Sequence, residues 1–112
     1  MSQLTTHILD TTKGRPAEGV GVYLFQQHGT EWTEITIAST NHDGRIPNLL
    51  KKEVVLEPGV YKLRFMTKEY FEKQGTQSFY PFVELSFSIT GPEHYHVPLL
   101  LSPFGYSTYR GS

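Results

Sequence analysis

Five histidines are distributed over a chain of 112 residues that has no cysteine: His7, His28, His42, His94 and His96. Imidazole titrates nearer neutrality than any other side chain, so each is a candidate for proton transfer. The lack of cysteine removes thiol nucleophiles, Cys-ligated zinc, iron–sulfur clusters and disulfides from consideration. His28 and His42 stand in turn sequences, His28-Gly29-Thr30 and Asn41-His42-Asp43-Gly44, and read as solvated. His94 and His96 share one face if the chain is extended there, a pattern that can hold a metal. No third histidine and no carboxylate triplet stands close by in sequence, which favours a structural reading of the pair. His7 falls on the face of Thr5 and Leu9, with Asp10 as its one local charge partner. Arg45 follows the Asp43-Gly44 turn; a fixed guanidinium suits a planar, anionic or carbonyl-rich ligand. The run Tyr106-Ser107-Thr108-Tyr109-Arg110-Gly111-Ser112 keeps a strand-like pattern to the last residue, so the tail is either a packed part of a site or an ordinary frayed end.

The elements that must position these groups read as strands. Period-two alternation, broken by turn residues, is the dominant signal. Residues 4–10 set Leu4, Thr6 and Ile8 against Thr5, His7 and Leu9, and a loop follows through Gly14-Arg15-Pro16. Residues 20–27 and 31–39 form an adjacent antiparallel pair, with Trp32 expected opposite Ile35 and Ile37. Arg45 and Ile46 fit a very short edge strand. Residues 60–67 put Tyr61, Leu63 and Phe65 on one face, and Lys62 and Arg64 on the other. Thr67 is placed to cap one short helix over 68–74 that stops before Gly75. Residues 82–89 turn Val83, Leu85, Phe87 and Ile89 inward; 94–101 and 104–110 complete the set. Seven or eight short strands and one helix predict an all-β, antiparallel two-sheet sandwich occupying residues 1–112 as a single domain. Both faces of Val97-Pro98-Leu99-Leu100-Leu101 are apolar, so one is expected to meet the core and the other a neighbouring subunit.

Ten Lys and Arg against eleven Asp and Glu leave a formal charge of -1, which argues against a broad nucleic-acid or anionic-membrane surface. No run approaches the ~18 apolar residues of a membrane span. The opening Met1-Ser2-Gln3-Leu4-Thr5-Thr6 lacks a cationic stretch followed by an apolar one, and the expected location is the cytoplasm.

Three blocks carry a resemblance to a known family: Thr6-His7-Ile8-Leu9-Asp10-Thr11 with Gly14-Arg15-Pro16-Ala17; Thr40-Asn41-His42-Asp43-Gly44-Arg45; and His94-Tyr95-His96-Val97-Pro98-Leu99-Leu100-Leu101-Ser102-Pro103 running on to the C-terminus. The chain resembles the 5-hydroxyisourate hydrolases, the enzyme branch of the transthyretin-like proteins, over essentially its whole length. Its closing Tyr109-Arg110-Gly111-Ser112 matches the pattern that separates those hydrolases from the hormone carriers. The resemblance implies an eight-stranded sandwich with one short helix. It implies a homotetramer, a dimer of dimers, with sites in a channel where the dimers meet. It also implies hydrolysis of 5-hydroxyisourate, the product of urate oxidation, to 2-oxo-4-hydroxy-4-carboxy-5-ureidoimidazoline, with no metal or organic cofactor. By the same resemblance, His7, Arg45, His96 and Ser112 are the expected catalytic residues; Tyr109, Arg110 and Gly111, with His7 and Arg45, are expected to bind substrate, and His94 is expected to play a structural part. The rival readings are a carrier of small aromatic ligands, a metal site on His94 and His96, and an interaction module with no site.

Overall fold

The computed structural model describes residues 2–111. The strands are β1 (Leu4–Asp10), β2 (Arg15–Pro16), β3 (Gly21–His28), β4 (Glu31–Ser39), β5 (Gly59–Phe65), β6 (Val83–Ile89), β7 (Tyr95–Ser102) and β8 (Gly105–Thr108), with one helix, α1 (Thr67–Glu72), between β5 and β6. They make two four-stranded sheets, β2-β1-β7-β8 and β4-β3-β5-β6. Leu4, Ile8 and Leu99 of the first sheet and Leu24, Leu63 and Phe65 of the second are fully buried. Alternation puts their polar neighbours on the outer faces. Among the described residues, no helix is long and apolar enough to cross a membrane.

The sandwich is antiparallel except at its centre, where β1 and β7 run parallel from Leu4 opposite Tyr95 to Asp10 opposite Leu101. Alternation assigns residues to faces and leaves direction open, so the sequence pattern did not distinguish this pairing. Thr6 donates its buried hydroxyl to the Val97 carbonyl at 2.7 Å, which lets a polar residue sit on the core face of β1.

Trp32 departs from the expected pleat. Leu24 pairs with Thr36 but Phe25 pairs with Glu34, so Ile35 is the extra residue of a β-bulge. The bulge resets the alternation and brings Trp32 to the face of Ile37. On that outer face the Lys62 ammonium lies 4.2 Å from the Trp32 ring centroid and 5.2 Å from that of Phe25. Glu84 meets it at 3.4 Å, so the buried cation keeps a partner.

The helix also starts differently from the sequence expectation. Thr67 is its first residue rather than its cap, Met66 precedes it without a side-chain cap, and the buried Thr67 Oγ1 has no hydrogen-bond partner among the described residues. The other end follows the pattern: Gly75 adopts φ +68°, its N–H donates to Glu72, and the Thr76 N–H donates to Phe71, a Schellman closure. Tyr70 donates its hydroxyl to the buried Asp10 carboxylate at 2.8 Å, tying α1 to the end of β1. That carboxylate also accepts the N–H groups of Thr12 and Lys13.

The irregular segment 46–58 contributes Ile46, Leu49, Leu50 and Leu56 to the core. It is pinned by Leu50 N–H to the Ser2 hydroxyl at 3.1 Å and Leu56 N–H to Gln3 Oε1 at 2.8 Å. Leu99, fully buried on the central strand β7, is where a truncation should cost most: Leu99→Ala is expected to lower unfolding free energy by about 2–5 kcal/mol, read from urea denaturation at fixed protein concentration.

Candidate active site

The outward face of the first sheet carries most of the candidate residues. Parallel register sets Thr5 beside His96, His7 beside Pro98 and Leu9 beside Leu100. Thr5 and His7, two residues apart on one strand face, stand about 7 Å apart along the backbone. The Asn41-His42-Asp43-Gly44 turn delivers the third group. The Asn41 side chain accepts the N–H groups of Asp43 and Arg45, Gly44 returns its N–H to the Asn41 carbonyl, and Ile8 donates to the Gly44 carbonyl. Gly44 has φ +72°, and a Cβ there would collide with the Ile8 carbonyl oxygen, so the turn admits only glycine. Its result is an antiparallel bridge between Arg45 and His7.

A cleft of about 290 Å³ opens beside this bridge, lined by Thr5, Arg45, Ile46, Pro47, His94 and His96 among others. The Thr5 hydroxyl lies 2.7 Å from His96 Nδ1 and 2.9 Å from His94 Nε2. The two imidazoles stack with centroids 6.4 Å apart. Both His94 ring contact and His96 Nδ1 are thus engaged by a hydroxyl. Among the described residues, no group of three or more His, Asp or Glu side chains gathers around them.

The C-terminal segment reaches the site across a gap. β8 pairs with β7 down to Thr108 opposite Leu99. Pro98 has no N–H to offer, and the ladder lapses there. It resumes in the same register at Gly111 opposite His96, where the Gly111 N–H donates to the His96 carbonyl at 2.8 Å. A Cβ on Gly111 would stand 2.5 Å from His96 Cδ2, so the imidazole lies directly on a residue without a side chain.

Burial pulls the pKa of His7 below 6.5, and the Arg45 guanidinium pulls it further. His96 is lowered by burial first, then by Arg45, His94 and His7. Both rings are therefore neutral near pH 7 and each can accept a proton. Arg45 supplies a permanent positive charge beside them, able to orient carbonyl oxygens and hold an oxyanion.

His7 and Arg45, and His96 and Gly111, are brought together as two bridged pairs, of which Arg45 and His96 line the cleft. Arg110 is not: it faces the other way, with its guanidinium 4.4 Å from the Tyr95 ring centroid and 3.9 Å from Glu93, because alternation turns successive residues of an extended segment to opposite faces. Tyr109 is largely exposed. Ser112 lies outside the described residues. Asp10 is no partner of His7, since its carboxylate points inward to Tyr70. Thr5, Ile46 and Pro47 are the lining residues that the sequence reading missed; Thr5 was detectable as the residue two before His7 on the same face.

The electrostatics predict an NMR titration. His7 and His96 should both titrate with midpoints below 6.5, and in Arg45→Gln both midpoints should rise, because a positive neighbour that opposed protonation is gone. Unmoved midpoints would refute the coupling.

Comparisons with known proteins identify the family. The family model for Transthyretin, described as the HIUase/Transthyretin family, matches residues 4–111. The 5-hydroxyisourate hydrolase of Mus musculus is 48% identical over 114 residues, an alignment spanning 99% of this chain and 96% of the mouse protein. Among solved structures, 5-hydroxyisourate hydrolase from Klebsiella pneumoniae superposes with TM-score 0.86 at 38% identity, covering 97% of this chain and 98% of its own. Sea bream transthyretin in complex with thyroxine gives TM-score 0.90 at 37% identity, covering 97% and 94%. On this match in sequence and fold, the chain belongs to the HIUase/Transthyretin family.

Proposed function

We propose that this protein hydrolyses 5-hydroxyisourate to 2-oxo-4-hydroxy-4-carboxy-5-ureidoimidazoline, a step of urate degradation. The observation that carries the reading is the convergence of two neutral imidazoles and one guanidinium, His7, His96 and Arg45, on one sheet face beside an open cleft. Hydrolysis of a cyclic amide needs a base for water, an acid for the departing nitrogen and a positive group for the oxyanion. In this reading one imidazole takes a proton as the water oxygen bonds to the carbonyl carbon. The C–N bond then breaks, and the nitrogen leaves with a proton that the other imidazole takes up from solvent water and passes on. Arg45 orients the ring oxygens and stabilises the negative charge between those events. Gly111 brings the C-terminal segment against His96; Tyr109 and Gly111 are assigned to substrate binding in this reading, and Ser112 to a catalytic part.

The carrier reading shares the fold, as the sea bream complex with thyroxine makes plain. It fits this chain less well, because a site for an apolar aromatic hormone favours a less basic lining than two histidines and an arginine. A homotetramer built as a dimer of dimers and working in the cytoplasm is part of the proposal. Its support is the half-buried pair Leu9 and Leu100, side by side on the site's own sheet face, which suits cover by a second copy.

The test generates 5-hydroxyisourate in situ from urate and follows its ultraviolet decay. The protein should accelerate that decay, and His7→Ala, Arg45→Ala and His96→Ala should each lower turnover by about 10²-fold or more. Parental rates in all three folded variants would refute the assignment. Gly111→Ala is expected to lower kcat while leaving thermal unfolding nearly unchanged, since its added methyl displaces the His96 ring and nothing in the core.

A further inference from the structure

Thr5 makes two hydrogen bonds that the hydrolytic mechanism does not use, and they join the site to solvent. Its hydroxyl sits between His96 Nδ1 at 2.7 Å and His94 Nε2 at 2.9 Å. A hydroxyl has one proton to give and lone pairs to accept with. The hydroxyl's single proton can serve at most one bare ring nitrogen, so when both contacts are hydrogen bonds at least one of the two rings carries a proton toward Thr5. Where only one does, the protonation of His94 and His96 is complementary. One arrangement has the His96 Nδ1–H donating to Thr5 and Thr5 donating to a bare His94 Nε2, which leaves His96 Nε2 bare. The other arrangement reverses both bonds.

We propose that Thr5 and His94 form a proton relay for His96, setting which of its ring nitrogens is free to act on water and passing the proton it accepts out to the exposed His94. This rests on the hydrolase reading above. In the step, His96 Nε2 takes a proton from the attacking water. His96 Nδ1 gives its proton to Thr5 Oγ1, and Thr5 gives its own hydroxyl proton to His94 Nε2. His96 ends neutral, the hydroxyl is regenerated, and the positive charge rests on His94.

The charge distribution gives the transfer its direction. A cation on His96 would be partly buried and would face Arg45 and His7. His94 precedes the strand, is exposed to water, and stands next to Glu93 in sequence. Moving the charge to His94 relieves repulsion within the cleft and places it where water can hydrate it and remove the proton. Geometry supports the exchange as well, because the near-parallel rings, 19° apart, hold both nitrogens toward the same hydroxyl without rotation. Thr5 is thus a positioning residue that acts through His96.

The test compares Thr5→Val, which keeps the shape and removes the hydroxyl, with Thr5→Ser, which restores it. Thr5→Val should lower kcat about tenfold or more with little change in KM, and Thr5→Ser should recover most of the loss. In the parent, the solvent deuterium effect on kcat should give a curved proton inventory, as protons moving together require; in Thr5→Val it should become linear. Imidazole ¹⁵N shifts of His96 provide an arm that needs no substrate: one dominant tautomer in the parent and in Thr5→Ser, and mixed tautomers in Thr5→Val. A Thr5→Val enzyme with parental kcat and an unchanged His96 tautomer overturns the relay. A parent that leaves 5-hydroxyisourate untouched, yet shows the tautomer shift in Thr5→Val, overturns the hydrolase reading and the proton transfer while preserving the hydroxyl's hold on His96.

Discussion

The parallel pairing of β1 with β7 is the constraint from which the site follows. Parallel neighbours cannot be joined by a tight turn and need a crossover. Here the crossover is most of the protein, since the whole second sheet, α1 and the buried loop 46–58 lie between the two strands. The register it enforces puts Thr5 beside His96, although 91 residues separate them along the chain. A slip of one residue would turn His7 and Thr5 into the core and Leu4 and Ile8 out to water, so the apolar face of β1 holds the polar face in place. Packing on one side of the sheet and chemistry on the other are one fact seen from two directions.

Around that frame burial, and after it the charge of Arg45, favours the neutral form of both imidazoles. Arg45 cannot give up its proton, and it stands across a backbone bridge from His7 and within electrostatic reach of His96. The turn that carries Arg45 is fixed by Asn41 and by a left-handed glycine wedged against the β1 backbone. Loss of the precise turn would move a guanidinium and, with it, the basicity of two histidines. On the opposite sheet the same ingredients serve structure instead: Lys62 and Arg64 lie over aromatic rings and share Glu84, so their charges are balanced locally. The contrast is between cations bridged to a carboxylate and a guanidinium set beside two imidazoles.

Alternation made the strands readable, as at 83–89, where Val83, Leu85 and Ile89 are buried and the residues between them are not. It also assigns Asp10 to the face of Leu4, Thr6 and Ile8, which is why that carboxylate caps a loop and holds Tyr70 rather than reaching His7. Features that break the period escaped it. The bulge at Ile35 moves Trp32 across the sheet, and no local residue announces the shift. Thr67 has the chemistry of a cap, but the backbone enters the helix at Met66 and buries the threonine instead. His7, Arg45 and His96 stood out by residue type, while their meeting depended on strand partners and direction, which spacing does not encode; family resemblance supplied it. Thr5 carries the one side-chain oxygen shared by two rings, a relation visible only once β1 and β7 are side by side.

The lapse at Pro98 has a consequence for how the molecule comes into being. Synthesis proceeds from the N-terminus, so β1 leaves the ribosome long before β7 exists to accept it, and the apolar edge of Leu4 and Ile8 must wait uncovered while the other sheet condenses. β7 then slots between β1 and β8, and a segment that cannot hydrogen-bond at Pro98 re-engages only at Gly111. The nascent chain thus completes the candidate site last, as a by-product of closing the sandwich, and a half-made polypeptide carries the histidine of its first strand without the partner it meets in the finished sheet.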